Sequence, residues 1–354
     1  MAGGIGSRFW PMSRTNTPKQ FLDILGTGET LIQQTVNRFR KVCPIENILI
    51  VTNELYKEQV QEQIPDLEEG QILCEPMRRN TAPCIAYANY KIQSVNPNAN
   101  IVVAPSDHII LKEDVFIEVI ESALETTANN DCLITLGIQP SRPDTGYGYI
   151  QFDKNKVDER DERIYKVKNF TEKPKLELAE QFLKSGDFLW NAGIFIWSLK
   201  SIQKAFETHL PDVNTIFKEG EKLYNTQRED LFIENAYSIC KNISIDYGIM
   251  EKARNVYVLS SDFGWSDLGT WGSLYATRNK DENENTIIGK NVMTYDTKNS
   301  IVNVKGNRLV VLQGLDDYIV VDDDNILLIC KKSEEQSIRQ IVNDVKATKG
   351  DKFV

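Results

Sequence analysis

An α/β protein with a helix-covered sheet, followed by a smaller β-rich unit, is what this 354-residue sequence predicts. Three observations carry that prediction. Up to about residue 200, short β-branched runs alternate with helix-length amphipathic segments, the order that builds a sheet flanked by helices. From about Asn285 the texture changes to short alternating strands broken by turn residues. The length, at roughly 150 residues per domain, accommodates two such units. The expected division is 1–284 for the first and 285–354 for the second.

The strands and helices follow in order. NILIVT (47–52), IVVA (101–104) and LITL (133–136) are apolar runs of strand length, suited to burial on both faces in a largely parallel sheet. Residues 81–95 place Cys84, Ile85, Ala88, Ile92 and Val95 at helical spacing, with Asn80 or Thr81 as the cap. Residues 115–126 repeat the stripe through Phe116, Val119, Ile120 and Leu124. In the second unit, turn signals stand at 296–299, 305–307 and 314–317, and Ile338, Ile341, Val342 and Val345 mark a terminal helix. No clean internal repeat stands out. The acidic run 322–325 does not match a calcium loop and is read as a solvated hairpin turn.

Composition excludes several classes. With 41 Lys+Arg against 51 Asp+Glu, the net charge of −10 disfavours a nucleic-acid partner held by phosphate neutralisation. Apolar runs are strand-sized, so no membrane partner is expected. Six scattered cysteines without a CxxC pair point to a reducing, cytoplasmic compartment. Against the global sign, the first 22 residues carry Arg8, Arg14 and Lys19 and no acid, a local field suited to a small anion.

That stretch, MAGGIGSRFWPMSR (1–14) and then PKQF (18–21), carries the strongest chemical signal. Glycines let backbone N–H groups converge on phosphate oxygens, and Arg and Lys add charge. It is neither a Walker loop nor a dinucleotide fingerprint, since GK[ST] is missing and Phe9 replaces the third glycine of GxGxxG. Asp107 follows the apolar run 101–104 and so falls at the C-terminal end of a strand, where open α/β sheets bind ligands. A helix cap is the alternative for an aspartate there. Glu172–Lys173 precede Pro174 and could equally be an exposed ion pair.

GGIGSRFWPMSR with PKQF resembles the sugar nucleotidyltransferase family, and its mannose-1-phosphate guanylyltransferase branch in particular. Further matches run along almost the whole chain: EP (75–76) with RNTAP (79–83), PSDH (105–108), GYGYI (146–150), FTEKP (170–174), WNAGIF (190–195) and GWSDLGTW (264–271). The resemblance implies a Rossmann-like, GT-A-like nucleotidyltransferase domain with a mixed sheet flanked by helices. For the second unit it implies a short left-handed β-helix, whereas strand alternation alone equally allows a small β-sandwich.

The resemblance also implies an activity and a site. GTP and mannose 1-phosphate would give GDP-mannose and pyrophosphate, with Gly3, Gly4, Gly6, Glu75, Asn80, Thr81 and Asp107 on the nucleotide. Gly148, Glu172 and Asn191 would hold the sugar. Arg8 and Lys19 would face the leaving pyrophosphate and Lys173 the sugar phosphate. Asp107 and Asp267 would hold Mg²⁺, with Mn²⁺ or Co²⁺ as substitutes. His108 is expected to support its neighbour rather than bind metal. Glu75 would accept from guanine N–H groups, or would instead bridge Arg78 or Arg79 at the surface. Trp197 is read as core. The related alternatives are a sister enzyme with another base or sugar, and a non-catalytic nucleotide-sugar-binding homologue. A homodimer would use the β-rich unit.

Two departures from the family pattern shape the expectations. A buried strand normally leads into the glycine loop, so an upstream segment is expected, with Met1 internal to the natural protein. Longer relatives carry a histidine-rich isomerase module, and with His108 and His209 as the sole histidines that second activity is not expected.

Overall fold

The computed structural model describes residues 1–4, 6–158 and 161–354. These form two compact units that do not follow a single cut along the chain. The first comprises Met1–Gly3, Thr35–Ser106 and Ile110–Trp265, and the second Gly4–Gln34, Asp107–Ile109 and Ser266–Val354.

In the first unit, β1 (Ile50–Asn53) and β2 (Ile72–Glu75) pair in parallel. Met1–Gly3 is stitched beside them. Ala2 N donates to Val51 O at 2.7 Å, Thr52 Oγ1 to Ala2 O at 3.0 Å, and Ser106 N to Met1 O at 3.0 Å. The main sheet is built from β3 (Asn100–Val103), β5 (Leu133–Ile138), β6 (Gly148–Val157), β7 (Ile164–Glu172), β8 (Phe188–Ser198) and β9 (Val256–Ser260). Their order is β3-β8-β5-β9-β7-β6. A two-residue strand, β4 (Ile109–Ile110), precedes β5, and another, β10 (Trp265–Ser266), follows β9.

The sheet is mixed rather than largely parallel, because within it only β5 and β9 run together and the other neighbours are antiparallel. The long strands β6, β7 and β8 cause the difference. They lie beyond the apolar runs that suggested a parallel sheet, and they carry exposed or half-buried polar residues along much of β6 and β7.

Side chains alternate across this sheet into two cores. Leu133, Phe195 and Val258 join one with α3 (Thr81–Gln93), α6 (Leu199–His209), α7 (Pro211–Lys218) and α8 (Glu229–Ile239). Ile134, Ile196 and Leu259 join the other with α4 (Glu113–Asn129) and α5 (Leu176–Ser185). The helices expected at 81–95 and 115–126 are thus α3 and a longer α4. Two further helices are α1 (Leu31–Phe39) and α2 (Lys57–Gln63). Trp197 is fully buried, as core.

The second unit contains α9 (Trp271–Thr277), then β11 (Thr286–Ile288), β12 (Val292–Tyr295), β13 (Ile301–Val304), β14 (Val310–Gln313), β15 (Tyr318–Asp323), β16 (Ile326–Lys331) and α10 (Ile338–Lys349). Alternate strands pair in parallel, β11 with β13 and β13 with β15, and separately β12 with β14. Parallel pairing of every second strand is the signature of a coil and excludes the antiparallel β-sandwich.

The register exposes a repeat that side-chain identity hides. Val292 faces Val310 and Val302 faces Val320, each 18 residues on. Glycine and asparagine turns vary between coils, so the period lies in the backbone and in the inward Val and Leu positions. The acidic hairpin is also less solvated than expected. Asp322 and Asp323 are buried, and Arg308 and Lys305 neutralise them at 3.0 and 3.1 Å.

Candidate active site

In the second unit the glycine loop is held by its own aromatics. Gly6 has φ +65°, and a Cβ there would lie 2.6 Å from the Lys19 Cβ, so glycine is required on both counts. A short 3₁₀ turn, Ser7–Phe9, follows, and Phe9 packs on Trp271 at a centroid distance of 5.1 Å. The Trp10 indole N–H donates to Phe353 O at 2.7 Å, tying the loop to the segment after α10.

The loop's three cations have different environments. Arg14 is engaged structurally. It donates to Pro11 O and Asp323 O at 3.1 and 3.0 Å and lies 3.8 Å from the Asp324 carboxylate. Arg8 is half-buried and, among the described residues, has no ion-pair partner, which leaves its guanidinium available to an anion. Lys19 is buried, its side chain 5% exposed. Its Nζ meets Asp107 Oδ2 at 2.8 Å, Asp267 O at 2.7 Å and Leu268 O at 3.1 Å, one acceptor for each ammonium proton.

The Asp107 carboxylate and the Asp267 main-chain carbonyl, 160 residues apart, therefore meet at one ammonium. Burial would raise the Asp107 carboxyl, but Lys19 and then His108 outweigh it and hold it below the ordinary aspartate value. The helix-cap alternative for Asp107 gives way to this ion pair. His108 Nε2 stands 3.8 Å from Asp107 Oδ1, beside the carboxylate. The turn after Asp267 is tightly built: Leu268 is buried at φ +44°, and a Cβ on Gly269 would fall 2.4 Å from Asp267 Oδ2. Strained backbone of this kind, in a non-glycine residue, is concentrated at functional sites.

Among the described residues no three His, Cys, Asp or Glu side chains cluster as a ready-made metal cage. The Asp107 carboxylate, with the side chain of Asp267, whose main-chain oxygen meets the same Lys19 ammonium, is a donor set of the kind magnesium uses. That ion takes one or two carboxylates and fills its remaining positions with water and substrate phosphates.

The first unit gathers a separate set. Glu75 ends β2 and is 8% exposed. Its Oε1 accepts from Tyr237 OH at 3.0 Å, so the surface bridge to Arg78 or Arg79 does not form. Arg79 instead donates to Tyr237 O and Ser238 O at the end of α8. Burial pushes the Glu75 carboxyl up to about 7, against the lowering effect of the Tyr237 hydrogen bond. Asn80, at φ +68°, caps α3 by accepting from Thr81 N, and Thr81 Oγ1 accepts from Ile245 N. Asn80 and Thr81 thus each have a structural duty in addition to any contact with a nucleotide.

Gly148, Glu172 and Asn191 come together although they lie on three strands. Gly148 faces Glu172 across β6 and β7, and a Cβ on it would sit 2.5 Å from Glu172 Oε2 and 3.5 Å from Asn191 Cβ. Lys173 is exposed at φ +46° and pairs with the Glu172 carboxylate, the ion pair read as the alternative from sequence. Tyr147 packs edge-on against Trp190 and Trp265 at 5.0 and 5.2 Å, an aromatic cluster in the core shared with α4 and α5. Sequence reasoning missed Asp246, whose Oδ1 accepts from Asn191 Nδ2 at 2.8 Å. The available signal was an acid among apolar neighbours, since Ile245, Ile249 and Met250 are buried.

With a mixed sheet flanked by helices and a separate β-coil unit, the chain has the make-up of a nucleotidyl transferase. The nucleotidyl transferase family model matches residues 1–284, and a mannoseP isomerase/GMP-like β-helix domain model matches residues 290–345. Mannose-1-phosphate guanylyltransferase of Escherichia coli is 32% identical over 347 residues, spanning 97% of this chain and 74% of that protein. Mannose-1-phosphate guanylyltransferase 2 of Escherichia coli O157:H7 is 35% identical over 365 residues, spanning 100% and 74%. A solved structure described as mannose-1-phosphate geranyltransferase from Thermus thermophilus superposes with a TM-score of 0.86 at 28% identity, covering 98% of each chain. The chain belongs to the mannose-1-phosphate guanylyltransferase family of nucleotidyl transferases, and it is an enzyme of that class.

Proposed function

We propose that the protein transfers GMP from GTP to α-D-mannose 1-phosphate, forming GDP-mannose and pyrophosphate. A phosphate oxygen of the sugar attacks the α-phosphorus of GTP, a new P–O bond forms, and the bond to the leaving pyrophosphate breaks. A phosphate monoester is already an anionic nucleophile, so the protein's task is alignment and charge compensation. The observation that supports this reading is that Lys19 ties the Asp107 carboxylate to the main chain of Asp267, in a chain whose relatives bear the guanylyltransferase name.

Arg8 is assigned to the leaving pyrophosphate through direct contact, and Lys19 through its charge, since its protons already have acceptors. Gly3, Gly4 and Gly6 admit the phosphates, and Glu75, with Asn80 and Thr81, reads guanine. Gly148, Glu172 and Asn191 bind the sugar, and Lys173 exchanges Glu172 for the sugar phosphate. Asp107 and Asp267 would hold Mg²⁺, or Mn²⁺ or Co²⁺ in its place, which when bound supplies Lewis-acid stabilisation of the phosphoryl oxygens.

We place the protein in the cytoplasm, in keeping with its six free thiols and a nucleoside triphosphate substrate. Among the described residues no helix is long and apolar enough to cross a membrane. We also propose a homodimer through β12 and β14, where Met293, Tyr295 and Val311 are exposed. Sedimentation equilibrium of wild type and Met293→Lys tests it.

Pyrophosphate release from GTP, ATP, UTP and dTTP with mannose 1-phosphate and Mg²⁺ tests the activity. Release with GTP alone, lost in folded Asp107→Ala and Asp267→Ala proteins, is the expected result. Preference for another triphosphate moves the assignment to a sister enzyme, and no release with any overturns it.

A further inference from the structure

Asn191 can make four hydrogen bonds through its carboxamide, and three are taken. Its Oδ1 accepts from Thr135 Oγ1 at 3.0 Å and from Gly193 N at 3.1 Å, while Nδ2 donates to Asp246 Oδ1 at 2.8 Å. Among the described residues, the second Nδ2 proton has no acceptor. The flipped carboxamide is excluded twice over. It would point an N–H at the Gly193 N–H and set an oxygen against the Asp246 carboxylate.

Asp246 is itself held in place. It opens a five-residue π turn, Asp246–Met250, whose N-terminal approach is anchored by bonds from Ile243 N to Arg79 O, Ala82 N to Ile243 O and Ile245 N to Thr81 Oγ1. Single π turns inside helical segments recur at functional sites. Burial, and then the nearby Glu172 carboxylate, push the Asp246 carboxyl up to about 6. It is still ionised at neutral pH, and an ionised acceptor holds an amide N–H more firmly than a neutral one.

We propose that Asp246 is a positioning residue for sugar recognition: it clamps the Asn191 carboxamide so that the remaining Nδ2 proton is presented in one direction to a hydroxyl of the sugar phosphate. This rests on the assignment of Asn191 to the sugar. Asp246 therefore acts through Asn191, and the two residues form one unit of recognition.

The test is a double-mutant cycle on the full chain, with steady-state kinetics for both substrates and a thermal melt for each variant. Asp246→Ala is expected to raise KM for mannose 1-phosphate about tenfold, the loss of roughly one hydrogen bond to a charged group, with KM for GTP unchanged within about twofold. Asn191→Ala should have a similar effect. The double variant should be no worse than Asn191→Ala alone, because residues acting as one unit are not additive. Asp246→Asn, which keeps an acceptor oxygen in place, should recover to within about threefold of wild type.

Independent effects that multiply to about a hundredfold would overturn the proposal, as would an equal rise in KM for GTP. If Asp246→Ala melts early, Asp246→Ser, too short to reach Asn191, substitutes for it, and an unchanged KM in that folded variant overturns the proposal too. Asn191→Ala without effect on the sugar phosphate, or wild type without turnover of it, overturns the site assignment beneath the proposal. An effective Asn191→Ala beside a silent Asp246→Ala overturns the proposal alone.

Discussion

Glu75→Gln should stabilise the protein while impairing it, and the size of the gain is set by burial. The carboxyl lies at about 7 in the folded protein against 4.5 for a solvated glutamate, so folding costs the charged form about 2.5 pKa units. At 1.36 kcal/mol per unit that is about 3 kcal/mol.

The sign follows from proton binding. Below pH 4.5 the side chain is protonated in folded and unfolded chains alike and costs nothing. Between 4.5 and about 7 the folded state binds the extra proton, so stability falls as pH rises. Above about 7 the full cost applies. Gln is neutral throughout, and its Oε1 still accepts from Tyr237 OH. Urea unfolding at pH 5, 6, 7 and 8 should show Glu75→Gln near wild type at the acid end and about 3 kcal/mol more stable at pH 8. A stability difference that is the same at every pH would refute the reasoning, because it would place the effect in packing and not in ionisation. In the same variant kcat/KM for GTP should fall, an example of stability given up for function.

Other perturbations separate chemistry from scaffold. Lys19→Met leaves the Asp107 carboxylate without its ammonium and should cost about 3 kcal/mol of stability in thermal or urea unfolding. The same variant should bind Mn²⁺ more tightly by electron paramagnetic resonance, since the divalent ion no longer competes with an internal cation. Gly148→Ala drives a methyl toward Glu172 Oε2 and should raise KM for mannose 1-phosphate about tenfold, with KM for GTP little changed. Glu229→Gln breaks the buried pair with Lys91, whose Nζ lies 2.7 Å from the carboxylate, and weakens the bond from Tyr87 OH. It should cost about 3 kcal/mol in urea unfolding and leave both KM values unchanged.

Periodicity was sufficient for elements whose burial is simple. Apolar runs located the centres of β1, β3 and β5, and helical stripes located α3, α4 and α10, because a face that must be dry repeats at 3.6 or 2 residues. It failed for β6 and β7, where one side is wet and the polar residues mask the alternation. It failed again in the coil of the second unit, where each turn is fixed by backbone pairing to the next. Short motifs singled out Gly6, Lys19, Asp107, Asp267, Gly148, Glu172 and Asn191 as candidates, and Arg14, read from sequence only as part of the loop's cationic field, is a strut to the acidic hairpin.

By itself the sequence determined the α/β class, the β-rich second unit, the glycine-rich cationic loop and the family resemblance, all of which reside in local composition and order. Only the tertiary structure decided that the Asp107 carboxylate and the Asp267 main-chain oxygen share the Lys19 ammonium, that Glu75 is buried against Tyr237, and that Asp246 grips Asn191. These are contacts between residues 55 to 248 positions apart. Their energies depend on desolvation and on distances of about 3 Å, and both quantities exist only once distant segments have packed.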